Sequence, residues 1–221
     1  MGSPTCLTDL SVPIVADTSA VINLIATGCA PSIVRALPRR LVVVDIVHAE
    51  LEAGRQRGRK DSDRLNELVV DGFVEIVELG DAATQYFEGL VVGSAAMTLD
   101  DGEAATIAYA VDKRGTALID ERKATRICAD RFPGLCVCCT ADILLHPEVQ
   151  RDLGAEVLAG AVFNALHDGR MGVFLHHLER VIELIGGERA ALCRSLPRSV
   201  RLSTYISPSA RPETGLVNRE D

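Results

Sequence analysis

Residues 14–20 read Ile-Val-Ala-Asp-Thr-Ser-Ala, a short apolar run that ends on an acid and passes at once into two hydroxyl residues. The apolar run, opened back to residue 12 and closed at 16, predicts a strand. Asp17 followed by Thr18 and Ser19 predicts a helix start, with the helix over 18–27. A strand feeding directly into a helix is the first half of a β-α unit.

The rest of the chain repeats that alternation. A second helical piece over 31–37 precedes Leu41-Val42-Val43-Val44, a run of the kind that suits a strand buried on both faces. A helix over 46–55 follows and carries Glu50 in its first turns. Residues 61–70 form a helix candidate, 73–79 alternate enough for an edge strand, and 81–91 read as helix. After a small-residue linker over 93–99, Asp100 or Asp101 would cap a helix over 102–111, with Gly115 just beyond its end. A strand over 116–119, a helix over 121–130 and a strand over 135–139 complete the pattern. From 141 the chain reads as helical, with candidates at 141–153, 155–167 and 171–185 and a break at Gly186-Gly187. Strands separated by helices predict an α/β sandwich of parallel β-α units with right-handed crossovers. The ligand site of such a sheet lies beyond the carboxyl ends of its strands, where Asp17 and Asp120 fall.

With 221 residues, 48% of them hydrophobic, the chain can bury the core of one domain, alone or with an appendage. The formal charge of −8 repels phosphate overall, so any nucleic-acid binding needs a local basic surface. Arg and Lys cluster at Arg55, Arg57, Arg59 and Lys60, at Arg122, Lys123 and Arg126, and at Arg194, Arg198 and Arg201. Each cluster reads equally as a solvated face. No apolar run approaches the roughly 18 residues of a membrane span, and no signal-like core opens the chain, so the reading is cytoplasmic. The seven cysteines include Cys136, Cys138 and Cys139 in a strand-like run without paired Cys-x-x-Cys knuckles. They read as reduced core residues. His167, His176 and His177 read as surface or core histidines, and no phosphate-cradling glycine loop occurs.

Four acids fall at strand ends or helix starts: Asp17, Glu50, Glu103 in Asp-Asp-Gly-Glu, and Asp120 in Leu-Ile-Asp-Glu. Each has an ordinary alternative, as a helix cap for Asp17 or an acid complementing a helix dipole for Glu103 and Asp120. Gathered together they would repel one another and require a hard divalent cation between them. That makes metal-dependent phosphodiester chemistry the leading expectation.

The joint arrangement resembles that of PIN domains, the metal-dependent ribonucleases that include VapC-type toxins of toxin-antitoxin pairs. The segments carrying the resemblance are Ile14–Ala20, Val47-His48-Ala49-Glu50-Leu51, Gly102–Ala108, and Leu118–Ala124. The resemblance covers about residues 12–145 and implies a PIN-like three-layer sandwich with a central, mainly parallel sheet. A lead-in at 1–11 would precede that domain, and a C-terminal helical extension at 146–196 and a mobile tail at 197–221 would follow it. It further implies that Asp17, Glu50, Glu103 and Asp120 are both the catalytic residues and the ligands of Mg²⁺ or Mn²⁺. Leu99-Asp100-Asp101-Gly102-Glu103 is similar to a Leu-Asp-x-Gly-Glu branch of the family, so Glu103 is preferred over Asp100 and Asp101, which remain auxiliary acids with Asp142. The cation would acidify a water for in-line attack on RNA, leaving a 5′ phosphate and a 3′ hydroxyl, with Thr18 or Ser19 orienting water or phosphate.

Arg122 and Lys123, and more distantly Arg55 and Arg57, are the RNA-binding candidates. The implied partners are an RNA substrate, a cognate antitoxin and a second copy of the chain in a homodimer, with no membrane. Two readings compete: a catalytically silent PIN-like module that binds RNA or protein, and a DNA-directed nuclease with the same metal core.

Overall fold

The computed structural model describes residues 12–203. Its strands are β1 (Ile14–Ala16), β2 (Leu41–Val44), β3 (Val74–Val77), β4 (Thr116–Leu118) and β5 (Cys136–Cys138). All pair in parallel in the order β3-β2-β1-β4-β5, so the segment expected to form an edge strand lies at an edge. Alternate residues of the central strands enter opposite cores. Ile14, Ala16, Leu41, Val43 and Leu118 pack on one side, and Val15, Val42, Val44, Ala117 and Ile119 on the other. Burial on both faces is why Leu41–Val44 carries no polar position.

The helical layers follow from the same division. Helices α1 (Thr18–Ala26), α2 (Ala30–Ala36), α3 (Asp45–Arg55) and α4 (Asp61–Val70) fill the first core, while α5 (Asp81–Val91), α6 (Asp101–Asp112) and α7 (Arg122–Arg131) fill the second. Helix α6 is nearly all Ala, Thr and Ile on its buried faces, and so lies close against β1, β2 and β4. The chain is a three-layer α/β sandwich about a parallel sheet.

Beyond β5 come α8 (Thr140–Leu144), α9 (Pro147–His167), α10 (Leu175–Ile185), α11 (Gly187–Leu192) and α12 (Arg198–Ser203). The helix expected over 141–153 is broken before Pro147, which occupies a first-turn position where its missing N–H is harmless. Gly154, at φ +72°, kinks α9 where the next helix was expected to begin. The helix expected from 171 starts at Leu175 instead. Arg170 sits at φ +57°, and Met171 and Val173 enter the core with Gly172 exposed between them, a strand-like alternation that keeps 171–174 out of helical geometry. Val149, Val162, Leu166, Val181 and Ile185 join the first core, so these helices pack on the sandwich itself.

The expected lead-in at 1–11 lies outside the described residues, as does 204–221 of the expected tail, whereas 198–203 form α12. Among the described residues no single helix is long and apolar enough to cross a membrane. Helices α1 and α2 pass such a test only as a pair bent by 112°, and their apolar residues fill the core.

Candidate active site

Strands β1 and β4 are neighbours in register, Ala16 opposite Leu118, so the residues following each emerge side by side at the carboxyl edge of the sheet. Asp17 follows β1 and its N–H still donates to the Leu118 carbonyl at 3.2 Å. Asp120 lies two residues past β4. Glu50 arrives beside them from the second turn of α3, and Glu103 from the first turn of α6. All four line one open cleft of about 1080 Å³ together with Thr18, Ser19, Asp100 and Asp101.

Each acid is fixed by donors. Asp17 caps α1, accepting the Ala20 N–H at 2.7 Å and the Ser19 hydroxyl at 3.0 Å. Asp120 accepts the Thr140 N–H at 2.7 Å, the Thr140 hydroxyl at 2.6 Å and the Asn23 amide at 2.6 Å. Glu50 accepts the Gly102 N–H at 2.8 Å and the Thr18 hydroxyl. Glu103 reaches back to the Asp100 N–H, half of a capping box. Thr18 and Ser19 therefore both donate to the acids. Glu121, which also lines the cleft, caps α7 through the Ala124 N–H at 2.9 Å, so Asp120 is not the cap of that helix.

The hydrogen bonds do not offset the burial of these acids. Burial raises the Asp17 carboxyl to about 7, against the Ala20 N–H, with Asp120 and Glu103 adding to the rise. Burial likewise raises Glu103 to about 7, with Glu121 and Asp100 contributing and Lys123 opposing. Asp120 is raised by burial despite its Thr140 and Asn23 donors. A cap hydrogen bond alone would lower Asp17, and burial in the cleft outweighs it.

The donor set suits a hard cation: carboxylate oxygens with lone pairs left over on Asp17, Glu50 and Glu103. Among the described residues no three of these four acids bring ligand atoms within 4.8 Å of one another.

The other candidates are distributed more widely. Asp142 does not line the cleft; it bonds to Cys139 and His177 behind Thr140. Arg122 is exposed at the start of α7 and Lys123 lies near Glu103. Arg55 pairs with Asp63 at 3.0 Å and Glu52 at 3.7 Å, and Arg57 is exposed in the turn beyond α3. The cations that line the cleft are Arg59 and Arg170. Sequence reading missed Arg170, Asn23 and Thr140. A buried Asn in the otherwise apolar stretch of α1 was the available signal for one of them.

Gly102 shows how tightly the site is drawn. A Cβ there would stand 2.5 Å from Glu50 Oε2 and 2.9 Å from Thr18 Oγ1. In an exposed helix Gly→Ala stabilises by about 0.5–1 kcal/mol. Here Gly102→Ala should instead destabilise, by about 1–3 kcal/mol in urea unfolding, because it drives Glu50 off its two donors. A stabilised variant would show that Glu50 is not held where the cleft needs it.

A sequence profile of the PIN domain matches residues 13–186, and the chain belongs to that family. No curated protein matches the chain. Among solved structures, VapBC2 from Rickettsia felis bound to a DNA fragment from its promoter aligns at a TM-score of 0.44 and 17% identity, covering 58% of this chain and 98% of that one.

Proposed function

We propose that the protein is a divalent-metal-dependent endoribonuclease acting as the toxin of a toxin-antitoxin pair. The observation that carries the nuclease reading is the cleft itself, lined by Asp17, Glu50, Glu103 and Asp120, with Asp17 and Glu103 raised to about 7. What supports the toxin assignment is the likeness of the four acid-bearing segments to those of toxin-type PIN proteins. Co-purification with a small protein encoded by the adjacent gene checks that assignment, and loss of the association on mixing the separately purified chains would argue against it.

Asp17, Glu50, Glu103 and Asp120 would hold Mg²⁺ or Mn²⁺, which supplies Lewis acidity, acidifying a water and neutralising charge on the phosphate. The residues of the chain do the rest. Ser19 and the α1 N-terminus orient Asp17, Thr140 and Asn23 orient Asp120, and Thr18 and Gly102 orient Glu50. Residues 12–145 carry the acids in this reading. The extension over 146–196 adds Asp168, Gly169 and Arg170 to the rim, and a second copy of the chain completes a homodimer. Cleavage of single-stranded RNA against matched single-stranded DNA, with Mg²⁺ and with Mn²⁺, tests the reading. No cleavage of either would return the chain to a silent binding module, and cleavage of DNA alone would make it a deoxyribonuclease.

Substrate phosphates meet an acidic protein, so their approach requires the cleft's own cations. Arg59 is tied to Asp61 at 2.8 Å, but Arg170 is exposed and makes no ion pair among the described residues. Its left-handed backbone, at φ +57°, follows Gly169, where a Cβ would stand 2.8 Å from the Ala165 carbonyl and 2.9 Å from Asn23 Oδ1. Arg170→Ala should weaken RNA binding and lower the slope of log affinity against log salt by about 0.7, the loss of one phosphate contact on a single strand. Filter binding across a salt series reads this, and an unchanged slope returns Arg170 to the solvated surface.

A further inference from the structure

Behind the acidic cleft lies a second group of metal-ligating side chains that the nuclease reading does not use. Cys139 ends the run that forms β5 and stands at the N-cap of α8. Asp142 is the third residue of α8, and His177 reaches in from α10. The Cys139 Sγ lies 3.1 Å from Asp142 Oδ2, and His177 Nε2 lies 2.8 Å from Asp142 Oδ1. Their ligand atoms all fall within 4.8 Å of one another. Cys139 is buried, and Asp142 and His177 are half-buried.

Asp142 and Cys139 form a capping box at the start of α8, Asp142 accepting the Cys139 N–H at 2.8 Å and the Cys139 sulfur facing the backbone of the third helical residue, a role a thiol fills poorly. Ser, Thr, Asp or Asn is the ordinary residue at an N-cap. A thiol there, facing a carboxylate whose other oxygen already meets an imidazole from a different helix, brings S, O and N donors to one point.

We propose that Cys139, Asp142 and His177 form a metal site of their own, selective for Zn²⁺ over the Mg²⁺ or Mn²⁺ of the cleft. Thiolate and imidazole donors suit zinc, whereas magnesium demands oxygen; three protein ligands leave a fourth tetrahedral position for water. Binding exchanges the Cys139 thiol hydrogen bond to Asp142 for coordination by the sulfur, and the thiol proton leaves to solvent. Burial pushes the Cys139 thiol up, so without an ion the thiol stays protonated and inert. Asp142 is already ionised: burial raises it, but the bonds from His177 and Cys139 outweigh burial and hold it below the usual carboxylate range. The ion would join α10 to the turn between β5 and α8. Thr140, the next residue, holds Asp120, so the ion would brace the support of the cleft without entering it.

The site is independent of the nuclease reading, and its test needs no substrate. The full chain, stripped with chelator and kept in millimolar Mg²⁺, is titrated with Co²⁺ as the spectroscopic probe. A thiolate-to-cobalt charge-transfer band should saturate at one ion per chain and be erased by Zn²⁺. Cys139→Ser, which keeps a good N-cap and therefore the fold, should abolish the band and the rise in melting temperature that Zn²⁺ gives the wild type. His177→Gln should weaken Zn²⁺ binding by at least about a hundredfold, the upper end of what outer-shell partners alone cost. No band in the wild type, or an undiminished band in Cys139→Ser, overturns the proposal.

Discussion

RNA cleavage should fall by on the order of a thousandfold or more in Asp17→Asn, and by a similar factor in Asp120→Asn, with the double variant hardly slower than either. The two acids sit at the ends of adjacent strands, and Asp120 adds to the rise of Asp17 through space, so on the proposed reading they would serve one ion as a unit. Asparagine caps helices as well as aspartate, and its side-chain carbonyl can still accept the Ala20 N–H. Asp17→Asn therefore removes charge while leaving the fold, and a lost rate cannot be blamed on a lost cap. Asp120→Asn is structurally harsher, because its new NH₂ group faces the donors of Asn23 or Thr140, though the Thr140 hydroxyl can turn to accept from it. Circular dichroism on each variant separates the two causes. A near wild-type rate in either variant, at saturating Mg²⁺, removes that acid from the site. Glu103→Gln should behave like Asp17→Asn. If it is neutral while Asp100→Asn or Asp101→Asn is inactive, the third acid is misassigned.

The sandwich was legible because its decisive segments are short and extreme. Leu41–Val44 has no polar residue, and only a strand covered on both faces tolerates that. Asp17 and Asp120 could be placed at one edge because parallel strands deliver their following residues to the same end. What the sequence did not show is everything that depends on which elements touch. Thr140 is an ordinary first residue of a short helix until β5 is seen to pair with β4, which sets its hydroxyl on Asp120. Asp142 looked like one more carboxylate near the others, yet α8 turns it away toward His177, a residue 35 positions on. The start of α10 was set too early because helical spacing at 171–174 gave no sign that Arg170 turns left-handed. Asp17 had two readings, cap and ligand; the structure shows the cap hydrogen bond, and burial that raises the carboxyl in spite of it.

The protein without metal should grow less stable as pH rises from about 5 to 8, against the common pattern in which carboxylates stabilise the native state once ionised. Asp17 and Glu103 are both raised on folding, to about 7 from ordinary values of 3.8 and 4.5. A carboxyl raised in the native state binds its proton more tightly there than in the unfolded chain. Its contribution to stability is complete below the unfolded value and is lost as pH climbs through the folded one. At pH 8 both groups carry charge buried in the cleft, and neither its lost hydration nor the repulsion from neighbouring acids is compensated. A divalent ion that binds only the folded form then acts most strongly. At a hundredfold excess over its dissociation constant it should add about 2.7 kcal/mol, or on the order of 5 to 10 °C in melting temperature for a chain of this size. The same ion should add little at pH 5, where its ligands hold protons. Asp17→Asn removes a buried charge, its repulsion with neighbouring acids and a ligand together, so at pH 8 it should melt above the wild type without metal and respond less to Mg²⁺ or Mn²⁺. Thermal melts at the two pH values, with chelator and with each ion, read all four arms. A wild type indifferent to both ions at pH 8, with Asp17→Asn less stable than its parent, would make Asp17 a helix cap and nothing more, because a cap loses a favourable charge where a crowded ligand sheds an unfavourable one.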